Sequence, residues 1–160
     1  MNADYFRLLF DYGWWARDRL FDAAAKLSDD EWKRANGFTY KHIAGIMQHT
    51  MQAEARSAMR FQRLAVTGGM PSADEAPGRV ELLAAWQAEE AKLRPWLLSL
   101  KDSDLDGIIT TYNGEVVLWK SMAHTTYHSM QHRSEAAEAL TMAGASPGDI
   151  DLMVYLTSRG

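Results

Sequence analysis

Three histidines stand four residues apart toward the C-terminal end of the chain: His124, His128 and His132, in the run AHTTYHSMQHRSEAAEAL. Side chains at i and i+4 of an α-helix lie one above the other on the same face. An i, i+4 histidine pair lets one helix offer two nitrogens to one metal ion. The chain has five histidines, and this ladder uses three of them. A fourth, His49, falls in another strongly helical segment. Two helices side by side can therefore bring three imidazoles to one ion. The residues alone leave the register open, because His124–His128 and His128–His132 are equivalent pairs. Such a pair is also what the polar edge of an amphipathic helix looks like, and His49 by itself reads as a core or surface histidine.

Imidazole nitrogens suit zinc, nickel, iron or copper better than magnesium or calcium, which prefer oxygen. A divalent transition metal, zinc or nickel before iron or copper, is the cofactor expected. Three protein ligands leave a coordination position free for water or substrate, which sets catalytic sites apart from closed structural ones. An ion held this way lowers the pKa of a bound water or keeps an external thiol as its thiolate. The chain has no cysteine, which excludes disulfides, a thiolate nucleophile and cysteine-ligated metal. If the chemistry uses a thiol, the thiol comes from outside the chain. Ligating histidines normally donate their other ring N–H to an acceptor. Glu54, Gln131 and Glu135 are the candidates by proximity in sequence.

Length and composition bound the rest. With 160 residues, 47% of them apolar, residues 1–160 are expected to form one domain with its own core. The formal charge of -4 comes without a basic stripe, so no nucleic-acid partner is indicated. The uncharged stretches are too polar to span a bilayer, so no membrane partner is expected. The opening MNADYFRLLF has neither a basic n-region nor a cleavage site of small residues and does not read as a signal peptide. The expected location is cytoplasmic and the expected partner a small-molecule substrate. Apolar residues such as Phe61, Met70 or Leu152-Met153-Val154 leave room for a homodimer.

The elements that must position the histidines follow from periodicity and punctuation. Residues 3–27 carry Tyr5, Leu8, Leu9, Tyr12, Trp15, Leu20 and Ala24 at helical spacing. Ser28 ahead of Asp29, Asp30 and Glu31 is an N-cap for a short turn holding Trp32. A second helix is expected from about 40 to 66, capped by Thr39 and ended by Gly68-Gly69. A third runs from about 79 to 100, with Pro95 kinking it or marking its last turns. Asn113-Gly114, between two β-branched runs, predicts a hairpin across 106–118. A fourth helix from about 118 to 143 carries the ladder and ends at Gly144. The tail, with Ile150, Leu152, Val154 and Tyr155, packs back as a short helix or an extended strip. The expected fold is all-α, a four-helix bundle with a short hairpin before the last long helix. His42 reads as structural or surface. Trp14, Trp15, Trp86, Trp96 and Trp119 read as core or pocket wall. Arg133 reads as an anchor for an anionic substrate or as a solvated or salt-bridged helix residue.

Several segments together resemble the DinB-like family of the wider DinB/YfiT-like metalloenzyme superfamily. The opening YFRLLFDYGWWARDRLFDAAAKLSDDEW is similar to its first helix and following turn. QHTMQAEARSAMRF resembles the second-helix pattern of a histidine followed by Ala-Glu and an apolar stretch. TTYNGEVVLW resembles the paired segment before the last long helix, HSMQHRSEAAEALTMAG the H-x-x-x-H-R-G-Q helix ending in glycine, and SPGDIDLMVYL the closing tail. The resemblance implies a four-helix bundle whose metal ligands are His49, His128 and His132. Arg133 directly after His132, with Gly144 beyond it, sets that register and leaves His124 one turn outside. Ser134 and Glu135 stand where Gly-Gln is usual. By analogy with thiol-dependent isomerases and S-transferases of the superfamily, which use mycothiol or bacillithiol, the resemblance implies a metal-dependent enzyme. It would join an external low-molecular-weight thiol to a small electrophile. A metal-dependent hydrolase and a non-enzymatic metal- or ligand-binding bundle of a stress response are the alternatives.

Overall fold

The computed structural model describes residues 2–158, and these are mostly helical. The Asn2 side chain accepts from the Tyr5 N–H and opens helix α1 (Ala3–Ala24). Ser28 and Glu31 form a reciprocal capping box that starts the single turn α2 (Asp29–Trp32) and buries Trp32. Three further long helices follow: α3 (Ile43–Phe61), α4 (Arg79–Ser99) and α5 (Leu118–Met142). A two-stranded hairpin, β1 (Ile108–Thr111) and β2 (Gly114–Val117), precedes α5, and a short α6 (Leu152–Thr157) closes the described chain. Each of α3 and α4 packs on the other, α1 packs on α4 and α5, and the α3–α5 seam is the most extensive.

Two apolar clusters fill the space between the long helices. One holds Leu20, Phe21, Ile46, Met47, Leu82, Trp86 and Leu140. The other holds Phe6, Phe10, Phe61, Leu97, Leu105, Ile109 and Met122. Each large apolar side chain removed from water in this way contributes roughly 1.5–3 kcal/mol. Phe61 extends the inward face of its helix into this core, at 3% exposure, and so offers no exposed surface to a second copy. The tail packs back as expected: Tyr155 of α6 is buried with its ring 5.7 Å from Tyr12 and 5.5 Å from Trp15.

The boundaries of α3 differ from expectation at both ends. Lys41 takes φ 67°, which a right-handed helix cannot pass through, so the helix starts at Ile43 and not near 40. Its cap is His42, not Thr39: the His42 Nδ1 accepts from the Gly45 N–H at 2.9 Å. At Gly45 a Cβ would lie 2.2 Å from the Tyr40 carbonyl oxygen. Only glycine lets segment 38–42 fold this tightly over the start of α3. At the far end Arg63 adopts φ 56°, and α3 stops at Phe61, well before Gly68-Gly69.

The termini of α5 follow the sequence signals. Gly144 (φ 78°) ends it, with Gly144 N–H on the Thr141 carbonyl and Ala145 N–H on the Leu140 carbonyl, the two bonds of a Schellman motif. In the hairpin Thr111 pairs with Gly114, so the loop residues are Tyr112-Asn113, one position before the expected Asn113-Gly114. Gly114 supplies the positive φ of 109° after the turn. Among the described residues no helix is long and apolar enough to cross a membrane.

Candidate metal centre

Helix α3 carries His49, and α5 carries His128 and His132 one turn apart on the face turned to α3. One nitrogen from each of the three lies within 4.8 Å of the others. The ring centroids are 4.5 Å apart for His128–His132, 4.8 Å for His49–His132 and 5.3 Å for His49–His128. The two Nε2 atoms of α5 are 3.3 Å apart. Two imidazole nitrogens on one ion, bonded at about 2.0–2.1 Å with a tetrahedral angle, stand roughly 3.3–3.4 Å from each other. The pair on α5 already has that separation, set by the helical repeat and by the partners described next.

Glu135, one turn beyond His132, accepts the His132 Nδ1–H at 2.7 Å. This leaves the His132 Nε2 with its lone pair, directed toward His128. Glu135 was one of three acceptors suggested by sequence proximity, and of those three it alone bonds a histidine of the cluster. Gln131 touches the site only through a long 3.5 Å contact to Glu135. Glu54 faces elsewhere, as described below.

Tyr40 is the site residue that the sequence did not reveal. Its ring stacks on His49 with centroids 3.9 Å apart and planes 15° from parallel. Its hydroxyl lies 2.9 Å from the His49 Nε2. Because the rings are nearly parallel, the hydroxyl approaches over the ring face, away from the in-plane lone pair through which an imidazole binds an ion. Tyr40 also meets His132 edge-on at 5.2 Å, so it caps one side of the cluster. Burial, with Glu135 nearby, raises its pKa.

The electrostatics of two of the imidazoles favour the neutral form. Burial, reinforced by His132 and His128, lowers the His49 pKa to about 4. Burial, then His132 and His124, lowers that of His128. Neutral nitrogens that converge and already have a carboxylate behind one of them fit a transition ion by donor chemistry. The three histidines are positioned to hold a metal ion.

Two further features agree with one of the readings that the sequence offered for them. His124 is exposed, its ring 5.7 Å from His128, and it stands outside the cluster. Arg133 is buried, at 2% exposure, and salt-bridged, one of the roles the sequence left open for it. It donates to Glu54 at 2.6 Å, and Glu54 also accepts from the Trp86 indole N–H at 2.7 Å. The Ala-Glu of the second helix and the arginine after the last histidine thus form one ion pair joining α3 to α5. A cavity of about 620 Å³ borders His49 and His128 and extends to the hairpin.

Comparison with curated proteins finds no match. The model of the DinB family matches residues 1–159, and the chain belongs to the DinB family.

Proposed function

We propose that this protein is a metal-dependent enzyme whose divalent transition ion is held by His49, His128 and His132, between four long helices arranged as a bundle. Zinc or nickel suits three imidazole nitrogens best, and iron or copper also fits. The observation that carries this reading is the convergence of nitrogens from α3 and α5, with two Nε2 atoms 3.3 Å apart. We assign the reaction to transfer or isomerisation at a small electrophile assisted by an external low-molecular-weight thiol. Membership of the family, the absence of cysteine from the chain and the cavity beside the histidines support that class.

When bound, the ion supplies Lewis acidity, which lowers the pKa of a thiol or water beside it. The chain's own residues do the rest. Glu135 fixes the His132 tautomer and ring orientation. Burial keeps His49 and His128 unprotonated and able to ligate at neutral pH. Tyr40 covers one face of the His49 ring and holds it by stacking. The cavity admits a small molecule to the side of His49 and His128.

The test is metal content by mass spectrometry on untagged protein, native and His128→Ala/His132→Ala. A transition ion stoichiometric with the native chain and absent from the variant is the expected result. The loaded protein should then consume a thiol against a panel of electrophiles. Turnover without thiol, lost on chelation, would reassign the centre to hydrolysis. A native chain that retains no zinc, nickel, iron or copper would remove the metal from the account.

A further inference from the structure

The cavity that borders His49 and His128 has a charge pattern unlike the rest of the chain. Its walls are one face of α3 (His49, Ala53, Arg56, Arg60), one face of α5 (Lys120, His124, His128) and the hairpin. Three permanent cations, Arg56, Arg60 and Lys120, face it against one carboxylate, Glu115, in a protein of net charge -4. Among the described residues none of the three cations forms an ion pair. Arg56 donates to the backbone carbonyls of Thr67 and Gly68. The Arg60 guanidinium lies over the Tyr112 ring at 5.5 Å, and the Lys120 ammonium near the Trp119 ring at 5.6 Å.

Arg60 is the unusual member. It is half-buried, with another cation, Arg56, one turn back on α3 and no ion-pair partner among the described residues. Partial burial and a like-charged neighbour both disfavour its charge, as the lowering of its pKa by these two causes reflects. A guanidinium keeps its charge regardless, and its planar fork of donors matches the oxygens of carboxylate or phosphate. Tyr112, at the tip of the hairpin, holds that fork by stacking and does not occupy its donors.

We propose that this end of the cavity is an anion subsite, and that the small molecule taken by the histidine centre carries a carboxylate or phosphate group held by Arg60 with Arg56 and Lys120. The subsite extends the metal reading by naming the substrate class, and it rests on that reading only for the reacting end. The helical rise of α3 places Arg56 roughly 10 Å and Arg60 roughly 16 Å along the axis from His49. Side chains lean toward the N-terminus of their helix, which here is toward His49. The anionic group and the reacting atom are therefore separated by a short chain of several atoms, and a bare anion does not span the cavity.

The experiment titrates three probes of one length, hexyl phosphate, hexanoate and hexan-1-ol, into the chain by calorimetry, metal-free and zinc-loaded. Both anions should bind at least about tenfold more tightly than the alcohol, and more weakly as salt is raised. The tighter of the two anions names the head group. Arg60→Gln should abolish the preference, Arg60→Lys should restore part of it, and zinc content should be unchanged in both. Equal binding of anion and alcohol, or a preference that survives Arg60→Gln, overturns the subsite. Anion binding that depends on Arg60 in a chain that takes up no zinc upholds the subsite and overturns the metal assignment. Zinc uptake without anion preference does the reverse.

Discussion

Two polar clusters join α3 to α5, and adjacent residues of α5 belong to different ones. Arg133 meets Glu54, opposite charges in contact at 2.6 Å and both largely sealed from water. Trp86 adds its N–H to the same carboxylate, and its ring faces the guanidinium at 5.4 Å. Gly13 of α1 leaves the room, since a Cβ there would come 3.4 Å from the guanidinium. His132, one residue earlier, meets His128 and His49, three groups of one kind, of which His132 is buried and the other two are partly exposed. The charged pair neutralises itself, although the Arg133 Nε is left without a hydrogen-bond partner, and it links the two helices. The imidazoles converge with lone pairs that they cannot all satisfy for each other, and a cation answers that arrangement. One helix pair thus supports a closed structural link and an open chemical one, separated by the direction of neighbouring side chains.

The sharpest way to break this contrast is to remove one half of the ion pair. Glu54→Ala leaves the Arg133 charge buried without its partner, which should cost about 3–5 kcal/mol in urea unfolding. His128→Ala, in the metal-free protein, removes a half-buried neutral ring and should cost about 1 kcal/mol or less. If the histidine change proved the more damaging to the apo fold, the division between structural and chemical cluster would fail.

Acid should separate the two clusters next. Folded His49 takes a proton only near its lowered pKa of about 4, against an ordinary value of 6.5. Between those values the unfolded chain binds more protons than the folded one. Stability is therefore complete above pH 6.5 and declines as pH falls toward 4, by up to about 3 kcal/mol from this residue. Urea midpoints of metal-free protein from pH 7 to 4 read this directly. His49→Gln should flatten the decline, and an unchanged slope in that variant would place the acid sensitivity elsewhere.

Glu135 sharpens the comparison from the chemical side. Its carboxylate takes the His132 Nδ1–H. Glu135→Gln should weaken zinc binding by roughly 10–100-fold through loss of that carboxylate support and leave the urea midpoint of apo protein nearly unchanged. Glu54→Gln should do the opposite, lowering the midpoint with little effect on zinc affinity. A competition titration with a chromophoric chelator measures the affinities. Equal effects of both changes on zinc would mean that the clusters act as one.

The legible parts of this molecule are those fixed by local geometry. The spacing of His128 and His132 dictates a shared helix face, and the Ser28 capping box and the Gly144 terminus are short-range devices that the structure contains as written. The membership of His49 came from the resemblance, since no local spacing links it to α5. Tyr40 was not legible, because its place on His49 depends on a left-handed Lys41 and on the missing Cβ of Gly45. The end of α3 was misplaced because Arg63, not a glycine, takes the left-handed conformation. The partner of Arg133 lies 79 residues away, and a buried charge leaves no periodic mark that distinguishes it from a solvated one. Phe61 continues the inward stripe of α3, and what packs on it there, Phe10 and Trp96, comes from other helices.

The smallest expected effect bears on the ladder itself. Three histidines at equal spacing invite the view that all three rungs act together, but the structure uses the last two. His124 is exposed, with its ring centroid 5.7 Å from that of His128. Its contribution is confined to the cavity wall and to a minor electrostatic influence on His128. His124→Ala should therefore leave zinc stoichiometry unchanged, alter zinc affinity by less than about twofold and shift stability by no more than about 0.5 kcal/mol. The same chelator competition and urea titration apply, with His132→Ala as the reference that loses the metal. If His124→Ala lost the ion and His132→Ala kept it, the ligand pair would be the upper one. The centre would then lie one helical turn, about 5.4 Å, nearer the hairpin, and Glu135 could no longer reach a ligand.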